Sequence, residues 1–369
     1  MRGQAGTFEF GRLWLATALI GLANGAWATP ITLTVGAGGF STIQAAAGSE
    51  TSGNSYIINV SPGTYTDDFP SFITGTTTVL NGNGATIDDT NNTGNANLGI
   101  VANQGTLTVN NLTIIGAHVA TGVSGDAAGI RDQGSTSLTV NNSIIENSQD
   151  GILTEDSSQK EVITITGTQF LNNGSGDGQS HALYVGASAS LDVEGSTFCG
   201  TNNGHDIKSR ALTTTVQGST MYIGAAGGGC AATPGGVGVD LPDGGIAKLV
   251  NDSIIQGSSN SNGALVLVGG EALLLTSSLD ITGTTLSGDD GASGHPSIGV
   301  NEISGCIAAV TGSGNTVSGL NTEINPAGCG SLGTVSAVDE PSPFWLLLTA
   351  LGGAWWVAQR RPSGRAIKN

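Results

Sequence analysis

Basic residues are scarce in this chain: 11 Lys and Arg stand against 28 Asp and Glu in 369 residues. Six of the eleven, Arg2, Arg12, Arg360, Arg361, Arg365 and Lys368, lie in the terminal segments. Residues 29 to 338 therefore hold five against 25 acids, a charge of −20. Such a field repels nucleic acid and anionic headgroups, which removes nucleic-acid binding from the candidate functions. Aromatics are few, with 8 Phe, 5 Trp and 4 Tyr. A Gly-x-Ser-x-Gly elbow and a phosphate loop are both missing. Cysteine occurs four times and never as Cys-x-x-Cys, which argues against structural zinc. What abounds is glycine, 60 residues without a G-X-Y period, so collagen is excluded. An apolar content of 38% excludes a disordered chain.

Both ends read as addresses. Arg2 and Arg12 precede an apolar run from Leu13, and Ala26-Trp27-Ala28 has the small-x-small form of a signal-peptidase site, so residues 1 to 28 are expected to be a signal peptide. The far end runs Asp339-Glu340-Pro341-Ser342-Pro343, then mostly apolar residues from Phe344 to Ala358, then Gln359-Arg360-Arg361. A helix over that stretch spans about 22 Å against a ~30 Å hydrocarbon core, a marginal anchor. The order of short motif, apolar helix and arginine cluster resembles the C-terminal sorting signal of bacterial exosortase substrates, whose motif is Pro-Glu-Pro. Asp339 here replaces the first proline. The resemblance implies a partner in the membrane or in a sorting enzyme, and a body exposed at the cell surface, on the outer membrane or in the extracellular matrix. The expected organisation is a signal peptide over 1–28, an N-terminal cap over 29–50, a repeat body over 51–332, a linker over 333–343 and an apolar helix with basic tail over 344–369.

The body is repetitive. Leu107-Thr-Val109-Asn-Asn111-Leu-Thr-Ile114 recurs as Leu138-Thr-Val140-Asn-Asn142-Ser-Ile-Ile145, and further copies centre on Ile165, Val193, Val216, Leu249, Ile281 and Val310. From Val109 the spacings are 31, 25, 28, 23, 33, 32 and 29 residues. Two residues after each anchor stands Asn or Gly: Asn111, Asn142, Gly167, Gly195, Gly218, Asn251, Gly283 and Gly312. These types tolerate positive φ, so a left-handed corner between two strands is expected at each. Five residues after the anchor the slot is large and apolar (Ile114, Ile145, Phe170, Phe198, Met221, Ile254, Leu286), with Asn315 in the last copy. A unit of this length cannot bury its own face and must stack on its neighbours, which makes a β-solenoid. The Leu-x-x-Leu-x-Leu frame of leucine-rich repeats is absent.

This pattern resembles the pectin-lyase-like superfamily. Phe40-Ser-Thr-Ile43-Gln44-Ala45 is similar to that family's capping helix, and Ile57-Ile-Asn-Val60-Ser-Pro62-Gly63-Thr64-Tyr65 to its first coil. The resemblance implies an all-β fold: a single-stranded right-handed parallel β-helix solenoid of about ten coils with an N-terminal capping helix. It leaves activity open, because the architecture hosts lyases, hydrolases, epimerases, adhesins and inert spikes. The four cysteines suit an exported protein and allow three pairings; Cys199 with Cys230 and Cys306 with Cys329 are expected, each pair being local.

Charged and aromatic residues gather in three coils: Ser180-His181-Ala-Leu-Tyr184, Gly204-His205-Asp206-Ile-Lys208-Ser209-Arg210, and Asp240-Leu-Pro242-Asp243. Registering the coils on their corners puts His181 over His205, Tyr184 over Lys208, and Arg131 and Leu153 in line with Tyr184, with Arg210 facing Asp243. By strand alternation Asp206, Lys208 and Arg210 share the outer face. An outer groove of Arg131, Tyr184, Lys208, Arg210 and Asp243 follows, walled by residues 172 to 180 and 222 to 238. As a polysaccharide site, Tyr184 stacks on a sugar ring, Arg210 grips a carboxylate, and Lys208 or His181 takes a proton beside it. That is lyase or C5-epimerase chemistry on a uronate, with catalytic Lys208, Arg210, His181 and Tyr184 and substrate-binding Arg131, His205, Asp206, Asp240 and Asp243. Lyases of this superfamily imply calcium as a helper, and Asp67-Asp68, Asp88-Asp89 and Asp289-Asp290 are candidate loop ligands. Paired carboxylates for hydrolysis also remain open. The competing reading is a non-catalytic structural or adhesive surface rod, in which Arg210 between Asp206 and Asp243 is part of a cross-coil ion-pair ladder.

Overall fold

A computed structural model describes residues 29–91, 99–119, 126–157, 159–271 and 277–334. The signal peptide, the C-terminal apolar helix and most of the linker lie outside these residues. Among the described residues no helix is long and apolar enough to cross a membrane.

The chain is a parallel β-helix. Among the described residues its strands form two sheets, one of 19 strands and one of ten, in which each strand inside the stack pairs in parallel with its counterparts one coil earlier and one coil later. The anchor column runs Leu33, Ile58, Leu80, Val109, Val140, Ile165, Val193, Val216, Leu249 and Ile281 in unbroken register. From Ile58 onward every member is buried to within 1%. A second column, Ile87, Ile114, Ile145, Phe170, Phe198, Met221, Ile254 and Leu286, fills the other half of the same interior. Burying one such side chain contributes about 1.5–3 kcal/mol, and stacking gives each coil two neighbours against which to bury it.

Between the two columns the backbone turns at Asn111, Asn142, Gly167, Gly195, Gly218, Asn251 and Gly283, with φ between 49° and 63°. The residue after each corner ties consecutive coils. The Ser143 hydroxyl accepts from the Leu112 N–H, Ser196 from Thr168, Ser219 from Ser196, the Asp252 carboxylate from Ser219, Thr284 from Asp252, and the Asn315 carbonyl from Thr284.

This ladder corrects the expected last repeat. Val310 pairs with Leu279, and Gly312 pairs with Ile281, so the corner is Gly314 at φ 66° and the apolar slot belongs to Val317, paired with Leu286. The sequence Val-Thr-Gly mimics Ile281-Thr-Gly283 and misleads by two residues. Packing decides the register: a Cβ on Gly312 would lie 2.4 Å from the Leu332 carbonyl oxygen, so the glycine leaves room for the chain end that folds over the last coil.

At the other end the helix Ile43–Ala47 buries Ile43, Ala46 and Ala47 over the first coils. Thr42 caps it, accepting from the Ala45 N–H at 3.0 Å, and the Asp68 carboxylate accepts from Ile43 and Gln44 at 2.6 and 2.7 Å. Two disulfides close, Cys199–Cys230 and Cys306–Cys329, in the pairing expected. The first fastens residues 224 to 238, whose return passes beside the candidate site.

Candidate functional site

The ten-stranded sheet carries the charged residues. Its strands Ala128–Asp132, Asp150–Thr154, Leu183–Val185, Ile207–Ser209 and Val239–Leu241 place Arg131, Leu153, Tyr184, Lys208 and Asp240 in one column. Ile130, Ile152, Leu183 and Ile207, each next to a column residue, are fully buried, so period-two alternation turns the column outward. Over these strands opens a cleft of about 490 Å³ lined by Arg131, His181, Tyr184, Lys208 and Arg210. Asp126, Asp150, Thr154, Asp156 and Glu271, which the sequence reading left out of the groove, complete the lining together with Leu153, Glu155 and Gln179.

The cations are engaged by carboxylates. Lys208 Nζ donates to Glu271 Oε1 at 2.9 Å and stands 3.9 Å from Asp240. Arg210 binds Asp243 at 3.0 Å, reaches Glu271 through its other terminal nitrogen, and donates from Nε to the Tyr184 hydroxyl at 2.9 Å. These partners hold the Arg210 guanidinium charged at any accessible pH. Both cations lie within 6 Å of the Tyr184 ring centroid, at 5.8 and 5.9 Å. Glu271, in turn, is pushed below the usual carboxylate range by Lys208 and Arg210, which outweigh the opposing effect of burial. Arg131 is held less firmly: its Nη1 donates to the Asp126 carbonyl at 3.0 Å, its Nη2 lies 3.6 Å from Glu155, and its buried Nε has no hydrogen-bond partner among the described residues.

Beside this column runs another. His181 and His205 stack with ring centroids 4.9 Å apart, and Tyr184 continues the stack at 5.7 Å from His181. Each imidazole takes a backbone amide from the coil above: His181 Nδ1 accepts from the His205 N–H, and His205 Nδ1 from the Val237 N–H, both at 3.1 Å. A neutral ring that accepts at Nδ1 carries its proton on Nε2. Burial, then the neighbouring His205 and Lys208, pushes His181 down to about 2, and burial and Lys208 push His205 down to about 4. Both rings are therefore neutral Nε2–H donors at physiological pH. The lone pair through which His181 was expected to take a proton is already engaged, and the Lys208 ammonium is bound between two carboxylates.

One coil earlier in this column stands Asp150, with which His181 aligns because Ile152 pairs with Leu183. Its Oδ1 accepts from the His181 N–H at 2.6 Å, while the buried Oδ2 has no hydrogen-bond partner among the described residues. Burial pushes the Asp150 carboxyl up to about 8, with Asp126 and Asp177 adding to the rise. A carboxyl in this state keeps its proton at neutral pH. Burial also raises Asp126, whose Oδ1 accepts from Gln149 Nε2 at 2.8 Å.

The predicted alternation fails at Asp206. Its side chain is 2% exposed and accepts from the Thr201 hydroxyl at 2.6 Å, so it does not reach the groove or Arg210. The strand begins only at Ile207, and in the turn before it the two-residue period does not apply. His205 takes the outer place, with Nε2 3.4 Å from Asp240. Asp240 and Asp243 stand behind the cleft as partners of the cations rather than in its lining. Residues 222 to 238 support His205 from above and add no wall; Gln179 stands on the wall expected from residues 172 to 180.

Among the described residues no group of three or more His, Cys, Asp or Glu is disposed to hold a metal ion. The acid pairs proposed for calcium have local duties. Asp68 caps the helix, Asp88 accepts from the Thr90 N–H and hydroxyl, and Asp289 accepts from Gly291, Ser293 and Ser297 within its own loop.

Neither the protein-family models nor the curated proteins contain a match to this chain. Among solved structures, a family 28 exopolygalacturonase of Yersinia enterocolitica is similar at 11% identity and a TM-score of 0.31, covering 80% of this chain and 77% of that one. The fold assignment rests on the strand pairing of the chain itself.

Proposed function

We propose that the cleft binds an extracellular polysaccharide and hydrolyses it, with Asp150 as proton donor and Glu155 as base. The observation that carries this reading is a carboxyl held protonated near neutrality, with one oxygen unpartnered among the described residues, in a cleft that also presents an aromatic ring, a loosely held arginine and further carboxyl groups. In this scheme Tyr184 and the Nε2–H of His181 orient the sugar. The Asp150 proton passes to the glycosidic oxygen as the C1–O bond breaks, and Glu155, held near Arg131, takes a proton from the water whose oxygen bonds to C1. One water is consumed, and solvent restores the two carboxyls to their starting states. Elimination at a uronate is less well supported, because both of its expected bases are engaged. Export and C-terminal sorting are proposed from the terminal segments, and the two disulfides support an oxidising compartment.

A second reading has its own observation. Glu271 bridges Lys208 and Arg210, so both cations are satisfied within the protein, as a non-catalytic rod would require. The two readings separate in one assay. The full chain is incubated with a panel of bacterial and plant polysaccharides, following reducing ends and the ~235 nm absorbance of unsaturated uronate. Hydrolysis predicts new reducing ends without absorbance, lost in Asp150→Asn and Glu155→Gln. Absorbance would restore the lyase reading, and the absence of any product across the panel would favour the rod.

A further inference from the structure

A second cavity of about 530 Å³ adjoins the cleft, and among the described residues no Asp, Glu, Lys or Arg lines it. Gln149 is the partition. Its Oε1 accepts from the N–H groups of Val119 and Ala127, and its Nε2 donates to Asp126, which lines the cleft on the other side.

The groups that face this cavity are complementary to one chemical function. His118 Nδ1 lies 2.7 Å from the Gly116 carbonyl, which can only accept, so the proton sits on Nδ1 and Nε2 is an acceptor. Asn147 and Asn172 are exposed, and their side-chain amides have no hydrogen-bond partner among the described residues. Both stand at left-handed corners, φ 51° and 53°, in the row that holds Gly116 one coil before and Gly200 one coil after. Glycine satisfies the corner equally well, so the backbone alone does not demand two consecutive asparagines. Val119, half-buried, supplies apolar surface beside them.

We propose that this cavity is a subsite for an N-acetylhexosamine residue of the bound chain. An acetamido group presents one acceptor, one donor and one methyl. The Asn147 and Asn172 amides can donate to its carbonyl, His118 Nε2 can accept from its N–H, and Val119 can cover its methyl. The inference rests on the carbohydrate reading of the adjoining cleft and adds to it the class of sugar.

Ligand-observed saturation-transfer NMR on the full chain tests it, with methyl N-acetylglucosaminide and methyl glucoside as probes. The acetamido methyl is expected to saturate strongly and the glucoside weakly. Asn147→Gly with Asn172→Gly, which installs the residue already present in the flanking coils, is expected to weaken acetamido binding about tenfold at an unchanged melting temperature. Equal signals from the two sugars, no signal from either, or an undiminished signal in the double variant would each overturn the assignment. Asp150→Asn reports separately on the cleft. If it abolishes polymer hydrolysis while the acetamido signal is absent, the subsite fails and the cleft reading stands. If the signal is present and no polymer is cleaved, hydrolysis fails and the subsite stands.

Discussion

Replacing Asp150 by Asn removes one ionisation and little else. The side chain is 1% exposed, and the amide carbonyl can still accept from the His181 N–H. Burial raises the folded carboxyl to about 8, against ~3.9 for an unfolded aspartate. Between those values the unfolded chain has lost its proton and the folded chain keeps it, so ionisation of Asp150 lowers stability as pH rises. The slope is about 1.36 kcal/mol per pH unit, or about 4 kcal/mol accumulated at pH 7. At ~2 °C per kcal/mol for a domain of this size, Asp150→Asn should melt roughly 8 °C higher than the wild type at pH 7. The two should coincide at pH 3.5, and their difference should level off above pH 8. Thermal melts at pH 3.5, 5, 7 and 8.5 measure this, and the other buried acids cancel in the difference. An offset that is constant across this range would refute the assignment of a protonated Asp150. A variant that gains stability while losing hydrolysis would show that the wild-type carboxyl is kept at the expense of stability, as active sites often are.

Three further outcomes are expected. Phe198→Ala should cost about 3–5 kcal/mol in urea unfolding, because Phe198 is fully buried and stacks on Phe170 at a 4.6 Å centroid distance; a loss under 1 kcal/mol would mean that the column does not pack as described. Gly204→Ala would put a Cβ 1.8 Å from the Ser180 carbonyl oxygen, against backbone that cannot rotate away. It should lower the melting temperature by the equivalent of about 1–3 kcal/mol and disturb the His181–His205 stack, seen as a changed imidazole nitrogen shift. Cys199→Ala with Cys230→Ala opens a bridge spanning 31 residues and should cost about 3–4 kcal/mol, measured by the urea midpoint with the other disulfide intact.

The solenoid was legible because its constraints recur. A corner that needs positive φ and an apolar slot three residues later repeat through seven coils, and each copy confirms the others. Tyr184 over Lys208 followed from the same arithmetic. Legibility ended where a local pattern lacked a neighbour to check it: Val310-Thr-Gly312 looks like a corner, and only Leu332, packed over the last coil, shows that it is not. Asp206 failed because alternation was carried past the start of a strand. Glu271 was missed because it lies 63 residues from Lys208, two coils on, in a loop whose path no periodicity predicts. Asp150 has a signal: the histidine column, extended back by one coil like the tyrosine column, leads to it directly.

The buried acids show which of these residues serve the scaffold. Burial raises Asp68, Glu161 and Asp252, and both carboxyl oxygens of each are satisfied, by the helix N-terminus, by the Ser135 and Ser188 hydroxyls, and by the Ser219 and Val250 amides. Asp150, Asp206 and Asp240 are also raised, to about 8, 7 and 7, yet among the described residues each leaves one buried oxygen without a hydrogen bond. An unsatisfied buried oxygen costs about 1–3 kcal/mol, and nothing in a Ser- and Thr-rich solenoid prevents a hydroxyl from being placed to meet it. Glu50 and Glu302 leave an oxygen unmet as well, but they stand toward the two ends of the stack, where a neighbouring coil is lost. The other three fall within the coils that carry Tyr184, Lys208 and Arg210 or border them. A rod needs its ladders complete; three of the incomplete carboxyls lie around the cleft, which is why the hydrolytic reading is preferred over the structural one even though Lys208 and Arg210 are paired.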